Sequence, residues 1–372
     1  MTCDASTVDV GIQTPEVDCA RTQEIPGGTR ADIRVDCTDS EITGNQDKRH
    51  LVMVPDAITR DALWLHVGST AGRPTNTTNI GEAAMMSGYR YISLAYTNNV
   101  SGTERCRCPH GPRAPEREGL AGYELVYGDD VTDFFDMDPD EAIVRRLLAL
   151  LDELDERPPN GGWDVYVDDD GEVVWDLVTV SGFSQGGGMV GPIARDHGVD
   201  PTMYLSKGAA ATFTELIDPA STRSCTAHSE CDSGLCYPLG DVQCSEPGDT
   251  AFCLNIVPAL YTFEGADTDG DGRGNGDETQ RATPSERQFA VIHRDEPAFG
   301  NSPVVFTAWG MVDVDASTAP YDAQAQLFST DAPPRGDCSE HQSMDADACQ
   351  VRDGSGGLVV RDAWLHAMNA LL

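Results

Sequence analysis

The sequence predicts an α/β fold in which a mostly parallel central sheet is flanked by helices. Three observations lead there. Short apolar runs at Leu63 to Val67, Tyr89 to Tyr96, Leu177 to Val180, Thr202 to Ser206 and Phe289 to His293 have the length and continuity of strands buried on both faces. Helix-like stretches fall between them, the clearest being Pro139 to Leu154, with Ile143, Leu147, Leu150, Leu151 and Leu154 at helical spacing. The stretch Trp175 to Met189 passes from strand to tight glycine turn to helix without interruption.

At 372 residues the chain can hold one large α/β domain with insertions, or two domains. Its 62 acidic and 25 basic residues give a formal charge of −37, and Lys48 and Lys207 are its only lysines. Such a surface repels nucleic acid and anionic membranes, so neither is an expected partner. The acid excess suits a salt-adapted protein or a very soluble secreted one. Twelve cysteines point to an oxidising compartment, so the expected location is secreted or periplasmic. No apolar run approaches the roughly 18 residues that span a bilayer. No charged-then-apolar leader opens the chain, and a signal is expected to have been removed ahead of it.

Four regions follow in order. Residues 1–48 are polar, carry Cys3, Cys19 and Cys37, and read as an extension stapled to the body by disulfides. Residues 49–211 form the first part of the core. Its first clear strand, Leu63 to Val67, ends in Gly68-Ser69-Thr70-Ala71-Gly72, a glycine-rich turn suited to offering the Ser69 N–H to an oxyanion. His66 reads as a packed strand residue. Cys106 and Cys108 lie in a proline-rich loop, each expected to reach a distant partner. Asp138 caps the helix that opens at Pro139.

Residues 212–283 change character. Cys225, Cys231, Cys236, Cys244 and Cys253 fall in a stretch rich in Gly, Pro and Ser, read as a disulfide-held cap over the active site. Inside it, Asp267, Asp269, Asp271, Gly272, Arg273 and Glu278 match D-x-D-x-D-G-x5-E. Alternate carboxylates converge there on a hard cation, the Arg273 carbonyl adds a ligand and Glu278 can bind through both oxygens. The expectation is a structural calcium ion, with no organic cofactor. Residues 284–372 complete the core.

The chemistry centres on Gly182-Phe183-Ser184-Gln185-Gly186, a G-x-S-x-G between strand and helix. Ser184 would sit on a strained turn, with glycines two positions away because a side chain there would strike neighbouring backbone. The Gln185 N–H, at the start of the helix, would be the second oxyanion donor. In this architecture, the α/β-hydrolase fold, an acid and then a histidine follow the serine along the chain. His293 lies too early and His366 falls in the apparent helix Val360 to Leu371, read as a helix-surface residue, so His341, in a loop between Cys338 and Cys349, is the expected base. The acid is Asp295, with Asp313 as the alternative. From Asp295 a helix (303–310) and a strand (325–329) remain before His341, whereas from Asp313 only the proline-rich 332–336 remains. Against Asp295, Thr283-Pro284-Ser285-Glu286 makes a good capping box, which would place Phe289 in a helix.

From about Leu51 onward the chain resembles a family of secreted bacterial α/β-hydrolases. The resemblance is carried by Gly68-Ser69, Gly161-Gly162-Trp163, Trp175, Gly182 to Gly188, Thr283-Pro284, His293-Arg294-Asp295, Ala308-Trp309 and His341-Gln342-Ser343. It implies a triad of Ser184, Asp295 and His341 and the hydrolysis of carboxylic esters, small-molecule or polymeric. Phe183 departs from the histidine often found before the serine and makes the pocket floor more apolar. The cysteine-rich insertion and calcium loop look particular to this chain. A polyester depolymerase or an acyltransferase would use the same residues. The alternative of another class is a non-catalytic binding protein on the same fold.

Overall fold

A computed structural model describes residues 18–100, 114–131, 137–157, 161–197, 199, 201–206, 236–237, 252–253, 283, 285–296, 306 and 311–370. The strands are β1 (Ala20–Ile25), β2 (Gly28–Arg34), β3 (Arg49–Pro55), β4 (Leu63–Val67), β5 (Arg90–Leu94), β6 (Val178–Phe183), β7 (Thr202–Leu205), β8 (Cys236–Tyr237), β9 (Phe252–Cys253), β10 (Gln288–His293), β11 (Asp313–Asp315) and β12 (Leu327–Thr330). The helices are α1 (Thr78–Met86), α2 (Ala114–Tyr127), α3 (Ile143–Asp155), α4 (Gln185–Asp196) and α5 (Arg361–Asn369).

Ten strands form one sheet in the order β1-β2-β3-β5-β4-β6-β7-β10-β12-β11, and β8 and β9 form a separate ladder. From β5 to β11 every pairing is parallel. The β1–β2, β2–β3 and β3–β5 pairings are antiparallel. The mostly parallel α/β sheet predicted from the sequence is therefore present, with an antiparallel edge.

Side-chain alternation along each strand divides the core in two. Leu63, Leu65 and Val67 of β4 and Ala290 and Ile292 of β10 face one layer, with Leu147 and Leu150 of α3 and Val190 and Ile193 of α4. Trp64 of β4 and Phe289 and Val291 of β10 face the other, with Ile80 of α1 and Trp364 of α5. Both faces are covered, so the parallel strands read as continuous apolar runs.

Several expectations need correction. Residues 20–34 are not an extension but the two outermost strands at the antiparallel side of the main sheet, β1 at its edge and β2 next to it. The Cys19–Cys37 disulfide ties together the two ends of that segment instead of stapling it to the body. The helix expected from Pro139 is split: a 3-10 turn over Pro139–Glu141, capped by the Asp138 carboxylate, precedes α3. The capping box at 283–286 opens only a 3-10 turn over Ser285–Arg287, and Phe289 lies in strand β10. The ring of His366, expected at the helix surface, is half-buried and packs edge-on against Phe289, Tyr321 and Phe328. The calcium loop, Cys106, Cys108 and the expected helix at 303–310, apart from Phe306, lie outside the described residues, as does all of the cap except β8, β9 and Thr283.

Candidate active site

Strand β6 runs without a break into Ser184, whose φ of 55° and ψ of −117° put it in a region that side-chain-bearing residues rarely adopt. The next residue, Gln185, begins α4. The two flanking glycines are there for space. A Cβ on Gly182 would lie 2.2 Å from the Gly186 carbonyl oxygen, and one on Gly186 would lie 1.9 Å from that of Val67. The second approach presses the start of α4 against the end of β4, where the Gly68 to Gly72 loop begins.

That loop is held by its carbonyls. The Tyr96 hydroxyl donates to Gly68 O (2.7 Å), and the Asn98 side-chain amide donates to Ser69 O (2.5 Å) and Gly72 O (3.2 Å). The Thr70 hydroxyl donates to Gln185 Oε1 (2.5 Å), so the two segments expected to supply oxyanion donors are tied to each other. As the first residue of α4, Gln185 has no intrahelical carbonyl for its N–H to bond.

His341 meets the site from the far end of the chain. Its ring packs on Phe183, centroids 4.6 Å apart, so Phe183 backs the imidazole in addition to making the surroundings apolar. His341 Nδ1 lies against Glu296 Oε1 in a short hydrogen bond. The carboxylate at the histidine is therefore that of Glu296, and the expectation of Asp295 is corrected. Glu296 is 3% exposed, whereas Asp295 is exposed and donates its backbone N–H to His293 Nδ1 (3.1 Å). His293 carries its hydrogen on Nε2, donates it to Ala332 O (3.0 Å) and so pins the turn that swings Glu296 inward. The alternative, Asp313, is exposed at the start of β11, accepts from the Ser329 hydroxyl and lies 3.9 Å from Arg294. It belongs to a surface cluster, away from the strand ends that carry the serine.

The other oxygen of Glu296 is also held. Ser206, fully buried at the end of β7 with φ 59°, donates its hydroxyl to Oε2 (2.6 Å). Spacing alone pointed to neither Glu296 nor Ser206. The adjacent pair Asp295-Glu296 was the available signal, but two neighbouring residues at a turn face opposite ways and only the backbone decides between them.

The His341 loop has three anchors. Cys338 and Cys349 are bridged. Asp347 accepts from the Thr78 and Asn79 N–H groups at the start of α1 (2.8 and 2.9 Å), while burial raises its pKa. Asp345 Oδ1 lies 3.0 Å from His66 Nε2, off the line of a good hydrogen bond. Trp64 Nε1 donates to Ser181 Oγ (2.8 Å), leaving the Ser181 hydrogen for His66 Nδ1 (2.9 Å) and the His66 hydrogen on Nε2, toward Asp345. His66 is thus the packed strand residue expected, joining β6, the strand that ends in the Ser184 turn (the elbow), to the His341 loop.

No protein-family model and no curated protein matches the chain. Solved structures show a general likeness. An S-formylglutathione hydrolase from Agrobacterium tumefaciens aligns at 13% identity over 50% of this chain with a TM-score of 0.31, and the chain spans only 60% of that hydrolase. A thermostable carboxylesterase from a metagenomic library aligns at 12% identity over 93% of this chain and 91% of its own, with a TM-score of 0.36. An arylesterase aligns at 12% over 94% and 86%, with a TM-score of 0.35. At such similarity nothing about activity passes from those proteins to this chain.

Proposed function

We propose that the protein is a serine hydrolase of carboxylic esters, with Ser184 as nucleophile, His341 as base and Glu296 as acid. The observation that carries the reading is Ser184 itself, a strained non-glycine residue between a buried strand and a helix start. Backbone strain of this kind costs on the order of 1–3 kcal/mol and persists where the surroundings enforce it.

Ser184 Oγ attacks the acyl carbon while His341 Nε2 takes its proton; Nδ1 is committed to Glu296, whose charge stabilises the imidazolium. The N–H groups of Ser69 and Gln185 receive the developing oxyanion, each worth roughly 3 kcal/mol of barrier. His341 then returns the proton to the leaving alcohol, and water repeats the sequence on the acyl-enzyme. Secretion is supported by the Cys19–Cys37 and Cys338–Cys349 disulfides, and a calcium ion at Asp267, Asp269, Asp271, Arg273 and Glu278 remains part of the proposal from the spacing of its ligands.

The test is hydrolysis of p-nitrophenyl esters from acetate to palmitate by wild type and Ser184→Ala, with calcium present. Activity abolished in the variant is the expected result. Equal rates for the two proteins, or no turnover of any ester by folded wild type together with no labelling of Ser184 by a phosphonate, would overturn the reading in favour of a binding protein.

A further inference from the structure

Lys48 is one of only two lysines in a chain of formal charge −37, yet it is 7% exposed. Among the described residues no carboxylate comes within ion-pair distance of its ammonium, which donates instead to the neutral Asn98 Oδ1 in a short hydrogen bond. Burial pulls its pKa below the ordinary lysine range, and the Asp47 charge opposes that pull. A buried cation without a carboxylate is unfavourable compared with an apolar side chain of similar volume, so stability alone does not explain it.

Its partner leads to the candidate oxyanion loop. Asn98 Oδ1 takes the ammonium and, more weakly, Asn45 Nδ2 (3.3 Å). An ammonium can only donate, so the amide orientation of Asn98 is decided and its NH2 must face the loop. There it holds Ser69 O and Gly72 O, while the Asn98 backbone carbonyl accepts the Ala71 N–H (2.6 Å). Asn98 thus grips residues 69–72 at three points.

In a trans peptide the C=O and N–H point in opposite directions. With Gly68 O drawn to Tyr96 and Ser69 O drawn to Asn98, the N–H groups of Ser69 and Thr70 are each turned away from those anchors. The loop is tied to the elbow by Thr70 on Gln185.

We propose that Lys48 and Asn98 are positioning residues for ester hydrolysis: Lys48 locks the Asn98 amide, and Asn98 fixes the Ser69–Thr70 peptide plane and the course of residues 69–72, so that, with Tyr96 holding the Gly68–Ser69 plane, the loop's N–H groups serve the oxyanion. The inference rests on the serine-hydrolase reading. The fixed ammonium also places positive charge behind the loop that meets developing negative charge. That arrangement favours the transition state over the bound ester.

Two substitutions test it in the full chain. Lys48→Met keeps most of the length and volume of the side chain and removes the charge. Asn98→Asp gives Lys48 a carboxylate but replaces the NH2 group with an oxygen facing the carbonyls of Ser69 and Gly72. Both variants are expected to lose at least 10-fold in kcat with KM within 2-fold of wild type. Affinity for a trifluoromethyl ketone, which forms a tetrahedral adduct on the serine, should fall by the same factor, and the melting temperature of Lys48→Met should not fall. Wild-type kcat in both variants, or in Lys48→Met a loss of kcat accompanied by a raised KM and a lowered melting temperature, overturns the proposal. If Lys48→Met does not fold, Asn98→Asp decides alone. Phosphonate labelling of Ser184 in wild type separates the two levels. Wild type that neither labels nor turns over any ester removes the hydrolase reading and this inference with it, whereas active wild type with unaffected variants removes the inference only.

Discussion

Asp295 and Glu296 are adjacent carboxylates, and replacing each by its amide separates two assignments of the acid. Glu296 is buried, with His341 Nδ1 on one oxygen and the Ser206 hydroxyl on the other. In Glu296→Gln the amide has two placements. If its oxygen faces His341, the tautomer survives, but the imidazolium formed during attack loses a buried counter-charge. Breaking such a pair costs about 3–5 kcal/mol, or roughly 100- to 5,000-fold in rate at about 1.4 kcal/mol per decade. If its NH2 faces His341, the imidazole is forced to accept on Nδ1 and carry its hydrogen on Nε2, where it cannot take the serine proton. The loss then approaches about 10,000-fold. Asp295→Asn leaves the Asp295 N–H on His293 and alters only an exposed side chain, so kcat should stay within about 2-fold. Steady-state hydrolysis of a p-nitrophenyl ester, with KM measured separately, reads both. A crippled Asp295→Asn beside a nearly normal Glu296→Gln would refute the assignment.

Ser206→Gly and Ser206→Ala should lose kcat equally, because both remove the hydroxyl from Glu296. The glycine variant should unfold at higher denaturant, by about 1 kcal/mol, because only glycine adopts φ 59° without penalty. Acid should destabilise the fold in two windows. Burial holds His50 down to about 3 from 6.5, so stability is lost as pH falls below 6.5 toward 3, and His50→Gln should flatten that limb of a pH–melting curve. Glu141, lowered to about 2 against opposing burial by the Gly44 and Thr43 N–H groups and Arg146, adds a loss between 4.5 and 2 that Glu141→Gln should remove. Chelation should lower the melting midpoint if the 267–278 loop holds calcium, by the equivalent of about 2.7 kcal/mol at a hundredfold excess over Kd; an unchanged midpoint would count against a structural ion.

Much of the fold was legible because it rests on local signals. Gly182 and Gly186 announced the elbow because both glycines stand where any Cβ would strike backbone, and the strand before them was legible because sheets covered on both faces demand unbroken apolar runs. Residues 20–34 were misread for the converse reason. At the antiparallel edge of the sheet these two strands are largely polar, with Arg21 and Gln23 exposed and Arg30 and Asp32 half-buried, and such strands resemble a polar extension. Cys19 and Cys37 announced a disulfide, but the pairing depends on the path of the chain between them.

The polar groups around the candidate site were hidden for a different reason. Lys48 meets Asn98, His66 meets Asp345 and Ser206 meets Glu296 only after the sheet has brought distant segments together. No periodicity links such pairs, and each member alone has an ordinary surface or packing reading. Their burial is nevertheless informative. A core seeking stability alone would fill these positions with apolar side chains, since buried charges contribute little after desolvation. Here the three pairs lie behind three different parts of the site: the Ser69 loop, the His341 loop and the Glu296 carboxylate. Groups that must be held to within about half an ångström need directional contacts, which apolar packing does not supply. This distribution ties the three pairs to the site's geometry more closely than to the stability of the core, and it is why activity should respond to their removal more sharply than melting does.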